Sequence, residues 1–168
     1  MKKIFSIALI SIIILVIQGC GISKSYTYEQ PIQENKSNIE VTLTPINPSM
    51  IAGYSGFILK VNNNSNDDME IDWNKTYFID NGRTNGTFMF EGIVYKDRNN
   101  QKASDIVFSK NQFSKAIYPN NYAVFSTTGG YGGWQNNGFG TGEFGIYLTL
   151  KVNDKEIKEK YLVKIKER

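Results

Sequence analysis

The chain contains no histidine and only one cysteine, Cys20, among its 168 residues. Without histidine it lacks the commonest general base and the commonest metal ligand, and no Ser-His-Asp arrangement can be assembled. With one cysteine no intramolecular disulfide can form, so the fold has to be held by packing alone. Past residue 20 no window of a dozen residues carries the i, i+3, i+4, i+7 spacing of an amphipathic helix, which excludes helices as the main building material. An excess of one charge is also missing. The whole chain has a formal net charge of +3; without residues 1–19, which hold Lys2 and Lys3 and no acid, 17 basic residues face 16 acidic ones, a net of +1. A near-neutral body argues against nucleic acid as a partner, because that binding depends on clustered Lys and Arg neutralising phosphates.

Catalytic motifs are scarce in the same way. No Ser-x-x-Lys occurs, and Gly53-Tyr54-Ser55-Gly56 lacks the spacing of a G-x-S-x-G nucleophile elbow. Gly140-Thr141-Gly142-Glu143-Phe144-Gly145 matches G-x-G-x-x-G by letter, but more glycine precedes it and a strand pattern follows it, so no dinucleotide site is expected. Asp68, Glu70 and Asp72 alternate with Met69, Ile71 and Trp73 and therefore read as the wet face of a strand. Asn62, Asn64, Asn66 and Asp68 fall at alternate positions, like EF-hand ligands. Asp67 stands where that loop needs glycine, however, and Trp73 where it needs a bidentate glutamate. The tract reads as a solvated loop, with a looser calcium site as the alternative. No metal and no cofactor are expected, nor is an enzyme; a carboxylate- or metal-dependent hydrolase is the competing reading.

What is present begins at the N-terminus. Lys2 and Lys3 open the chain, Ile4–Ile17 is apolar apart from Ser6 and Ser11, and Ile17-Gln18-Gly19-Cys20 closes the run. This is the layout of a secretory signal, and it is short of the roughly 20 apolar residues a membrane span needs. The closing quartet resembles the lipobox of bacterial lipoprotein signal peptides: an aliphatic residue, a tolerant position, a small residue, then cysteine. The resemblance implies cleavage before Cys20, a diacylglycerol thioether on its sulfur, and attachment to the cell envelope through acyl chains, palmitate among them. Because Gly21 is not aspartate, it also implies the outer membrane in a Gram-negative cell and the outer face of the plasma membrane otherwise. The expected organisation is a lipoprotein signal peptide over 1–19, a lipidated cysteine and polar tether over 20–38, and one β-sandwich domain over 39–168. As a flexible coil, Gly21–Asn38 would span roughly 20–25 Å.

Period-two alternation predicts the strands. Ile39, Val41 and Leu43 share one face, as do Phe57, Leu59 and Val61, and Met69, Ile71 and Trp73. Short apolar runs at Tyr77–Ile79, Thr87–Phe90, Ile93–Tyr95, Asp105–Phe108, Phe113–Tyr118 and Tyr122–Thr127 are separated by turn signals, among them Asp80-Asn81-Gly82. The last unit is a hairpin. Ile146, Leu148, Leu150 and Val152 lead to a turn at Asn153-Asp154, and Ile157, Tyr161, Val163 and Ile165 return on the same face. Its outer face carries Lys151, Lys158, Lys160, Lys164 and Lys166. Many short strands with regular turns predict an all-β, antiparallel, immunoglobulin-like sandwich with Trp73 in its core. The strand at Val61, the Asn/Ser loop Asn62–Asp68, the Met69–Trp73 strand and the Asp80-Asn81-Gly82 turn together resemble a group of uncharacterised bacterial lipoproteins with an I-x-I-x-W strand. That resemblance implies no activity.

Two segments are candidates for function. Thr127–Gly145 combines many glycines with Tyr131, Trp134, Phe139 and Phe144, aromatics that are costly to leave in water. The expectation is a long loop folding these rings back onto the sandwich; the alternative is a display loop for a glycan, peptide or envelope protein, which would make the domain a carbohydrate-binding module or a protein-binding one. Asp72-Trp73-Asn74-Lys75-Thr76 fits the acidic-x-Asn-x-Thr acceptor of bacterial N-glycosylation and marks Asn74 as a candidate modification site. The function expected overall is a membrane-anchored envelope lipoprotein whose non-catalytic sandwich has a binding or structural role.

Overall fold

Strands form wherever β-branched and aromatic residues alternate with polar ones, and a computed structural model gives their arrangement for residues 24–29, 35–36, 38–46, 53–127 and 133–168. In chain order they are β1 (Tyr26–Tyr28), β2 (Asn35–Lys36), β3 (Ile39–Pro45), β4 (Phe57–Asn63), β5 (Met69–Ile71), β6 (Tyr77–Asp80) and β7 (Arg83–Thr84). There follow β8 (Phe88–Met89), β9 (Asp105–Val107), β10 (Gln112–Pro119), β11 (Ala123–Ser126), β12 (Gly133–Asn136), β13 (Gly142–Val152) and β14 (Lys155–Glu167). One sheet runs β2-β3-β4-β10-β8. The other runs β1-β14-β13-β5-β9, with β6 also on β13 and β7 on β6. β11 and β12 form a separate hairpin. Every pairing is antiparallel. The orders β3-β4-β10-β8 and β14-β13-β6 are the A-B-E-D and G-F-C orders of a constant-type immunoglobulin sandwich.

The alternating faces meet in one core. Val41, Leu43, Phe57, Leu59 and Val61 from one sheet pack with Ile71, Phe78, Ile146, Leu148 and Val163 from the other. Turn chemistry fixes the registers. Asn81 and Gly82 (φ 47° and 83°) join β6 to β7, and Asn153 and Asp154 (φ 47° and 63°) join β13 to β14, both in the left-handed pairs that match strand twist. In β13, Gly145 lets β14 approach: a Cβ there would lie 2.0 Å from the Tyr161 carbonyl oxygen.

β5 and β6 are one strand with an insertion. Ile71 stands opposite Leu150 and Tyr77 opposite Tyr147, so five residues, Asp72–Thr76, face the two residues Leu148 and Thr149. Two buried threonines satisfy the displaced backbone. The Thr76 hydroxyl donates to the Asp72 carbonyl (2.7 Å) and accepts from the Thr149 N–H (3.1 Å), and the Thr149 hydroxyl donates to the Lys75 carbonyl (2.7 Å). Within the insertion Trp73 keeps the inward side of Met69 and Ile71 and is 1% exposed.

The expected boundaries need three corrections. The polar tether ends early, because Tyr26–Tyr28 pairs with Ile165–Glu167 on the free edge of β14. The Tyr54 hydroxyl donates to the Tyr26 carbonyl (3.4 Å), and the rings of Tyr28 and Tyr54 meet edge to face. A long, lysine-bearing edge strand with unpaired backbone groups recruits a three-residue strand whose two tyrosines pack against the core. Asn35–Lys36 likewise pairs with β3. The expected strand at Ile93–Tyr95 is absent; the chain there makes a 3-10 turn at Tyr95–Asp97. Finally, 127–145 is not one loop: it holds β12, the isolated bridge of Phe139 to Tyr54, and the start of β13.

Candidate functional site

Between β8 and β9 the chain leaves one sheet and joins the other, and residues 90–104 of this crossing wall a cleft of about 490 Å³. Its floor is made by strands of both sheets. On β10, Phe113, Lys115 and Ile117 occupy the inward positions, and on β9 Asp105 and Val107 do. At the rim of the core an inward lysine from one sheet therefore meets an inward aspartate from the other, and Lys115 and Asp105 close an ion pair across the sandwich. Asp105 Oδ2 also accepts the indole N–H of Trp73 (2.7 Å). The Lys115 ammonium lies 4.2 Å from the centre of the Phe90 ring, 5.4 Å from Trp73 and 5.6 Å from Phe113. The cation thus sits among three aromatic rings with its counter-ion beside it, and both charged side chains are about a quarter exposed.

The outer wall is held by side chains. Asn74, in the insertion between β5 and β6, donates from Nδ2 to the Lys102 carbonyl (2.8 Å) and accepts the Lys102 N–H at Oδ1 (2.9 Å). Lys102 turns its ammonium onto the carbonyls of Arg98 (3.0 Å) and Asn100 (3.3 Å), and burial pulls its pKa below the ordinary lysine value. Asn120 donates to Asn99 (2.7 Å), the Arg98 guanidinium covers the Tyr95 ring at 4.1 Å, and Tyr95 packs on Phe125. Val94, 53% exposed, is an apolar lip at the mouth. The cleft joins the Phe90 ring, a neutralised charge pair and a pinned polar wall. Its volume falls in the range of small-ligand sites, roughly 300–1,000 Å³.

Of the residues expected from sequence, Asn74 braces the cleft wall, and Phe139 and Phe144 lie away from the cleft. Phe139 and Phe144 are core residues, 2% and 3% exposed, with ring centres 4.7 Å apart; Phe139 also meets Phe57 at 5.2 Å, Phe78 at 5.6 Å and Tyr122 at 6.0 Å. Neither ring is free to stack on a sugar or peptide, because an unpartnered aromatic gains more from the core than from water. Trp134 belongs to β12, and Tyr131 and Cys20 lie outside the described residues. Asn74 is exposed, but its amide nitrogen is committed to the cleft wall. The Asn-rich tract is likewise tied down. Asn63, fully buried, donates to the carbonyls of Asp67, Val107 and Phe108 and accepts from Ser65, while Asp68 accepts the Ser109 N–H (2.7 Å). Among the described residues no group of three acidic or cysteine side chains converges to hold a metal ion. No protein-family model, no characterised protein and no solved structure matches this chain.

Proposed function

We propose that this chain is a lipid-anchored protein of the bacterial envelope whose sandwich acts by holding a ligand rather than by covalent chemistry. The anchoring half rests on the layout of Met1–Cys20 and its lipobox-like close. Two or more acyl chains give lasting attachment, each buried CH₂ contributing about 0.8 kcal/mol. One observation carries the rest: β1, which starts six residues after Cys20, and β9, which floors the cleft, stand at the two ends of the order β1-β14-β13-β5-β9. Four strand spacings of about 4.8 Å put roughly 19 Å between them. The body is tethered by one edge and offers its cleft at the other, toward a glycan or protein of the envelope.

Two experiments test the two halves. Cys20→Ser should abolish palmitate incorporation and leave the product at its unprocessed size; unchanged labelling and processing would remove the anchor. Ala103→Trp fills the cleft from an exposed wall position. It should stop capture of envelope glycans or proteins without lowering the melting temperature, and equal capture by both chains would take the ligand away from this cleft.

A further inference from the structure

The outer face of β14, β13 and β6 belongs neither to the core nor to the cleft. Along β14, Lys158, Lys160, Lys164 and Lys166 project outward and are exposed, while Tyr161, Val163 and Ile165 point into the core. Tyr147 on β13 and Tyr77 on β6 stand in register with Lys160, and Leu162 lies between Lys160 and Lys164 on the same side. Ammonium groups on long stems, two phenol rings and one aliphatic chain are thus interleaved on one face, the composition of a surface that meets a membrane–water interface.

The acids nearby cancel only part of this charge. Glu156 is shared between Lys75 and Lys158, and Glu29 is paired with Lys166. Glu143 faces Lys164 in register without closing an ion pair, and neither Lys160 nor Lys164 has an acidic partner within 4 Å among the described residues. Position adds a second, independent argument. β1 lies directly beside the end of β14, with Thr27 opposite Lys166, and Tyr26 is six residues from Cys20. Even fully extended, six residues reach about 20 Å. A chain anchored at Cys20 therefore holds the Lys164–Lys166 end of this face near the lipid headgroups.

We infer that the Lys160/Lys164 face rests on an anionic bilayer surface, its lysines against acidic headgroups and its tyrosines at headgroup level, with the cleft left open at the free edge. This rests on Cys20 being the anchor. Full-chain lipidated protein, reconstituted into phosphatidylcholine vesicles and into vesicles that also contain phosphatidylglycerol, is labelled with an impermeant amine-reactive ester, and each lysine is read by mass spectrometry. At low salt, Lys160 and Lys164 should react roughly fivefold less on the anionic vesicles, the factor that about one lysine–surface interaction supplies. High salt should restore them. Lys60, on the outer face of the other sheet, serves as the control and should not change. If the chain floats with both vesicles but Lys160 and Lys164 label alike on each, the face is not a bilayer contact. If it fails to float with phosphatidylcholine vesicles, the anchor is absent and this orientation falls with it.

Discussion

Replacing Asp105 by alanine should destabilise the sandwich more than any other single change at the cleft. Asp105 accepts the indole N–H of Trp73, a ring with almost no solvent exposure. Deleting the carboxylate leaves that donor without its partner, which costs about 1–3 kcal/mol. The ion pair with Lys115 is lost as well. A fully buried pair broken on one side costs about 3–5 kcal/mol and an exposed one about 0–1; with both side chains a quarter exposed, about 1–2 kcal/mol is the appropriate share. Asp105→Ala should therefore cost about 2–5 kcal/mol in all. Asp105→Asn keeps an oxygen for the indole and loses only the charge, about 1 kcal/mol. Lys115→Met keeps the packing stem but removes the pair and the cation–π contact with Phe90, about 1–2 kcal/mol. Urea unfolding followed by tryptophan fluorescence measures all three, and the Asn/Met double variant should show a coupling near 1 kcal/mol. Equal losses for Asp105→Ala and Asp105→Asn would refute the assignment of the larger share to the indole hydrogen bond. A loss below about 0.5 kcal/mol for Asp105→Ala would refute the inter-sheet tie altogether.

Other consequences can be checked separately. Phe139→Ala should cost about 3–5 kcal/mol, because four rings lose a shared neighbour inside the core; a neutral change would return Phe139 to the display role that was the alternative reading of its loop. Asn74→Ala should raise amide exchange across residues 98–104 with little effect on β13 and β14, since it frees the wall of the cleft and leaves the hairpin intact. Hydrogen bonds from Lys158 and Lys75 hold the Glu156 carboxyl at a pKa of about 2, below the ordinary 4.5. Because its folded pKa is depressed, whatever it contributes is in place above about pH 4.5 and is lost as pH falls toward 2, so Glu156→Gln should flatten the pH dependence of stability in that window only. Carboxyl chemical shifts followed by NMR would show Glu156 titrating near 2; a midpoint near 4.5 would remove the pairing.

Much of this fold was legible in local pattern. The faces of β3, β4 and β5 alternate cleanly, and Asn81-Gly82 and Asn153-Asp154 are turn pairs whose backbone preference sets the hairpins. What escaped was decided by tertiary partners. Tyr26-Thr27-Tyr28 alternates over only three residues, too few to stand out in a polar segment, and it becomes a strand because β14 offers an uncovered edge. The Asp72–Thr76 insertion is silent in a sequence whose Met69, Ile71 and Trp73 read as one unbroken alternation. The cleft did leave a trace: Lys115 interrupts the inward row Phe113, Lys115, Ile117 of β10, and Asp105 precedes inward Val107 on β9. Two opposite charges at inward positions of different strands are a signal for a pair at a core rim, and neither lay in a motif. For 127–145 the expected packing of rings onto the sandwich holds for Phe139 and Phe144, while the strand pairing of this stretch, set by β11 and Tyr54, was not legible among its glycines.

The most direct measurement is the intact mass of the N-terminal peptide of protein purified from its native membrane. The expected result is a chain beginning at Cys20 whose mass exceeds the bare peptide by a diacylglycerol thioether and any N-acyl chain. A peptide that begins at Met1, or one that carries an unmodified thiol at Cys20, would contradict it.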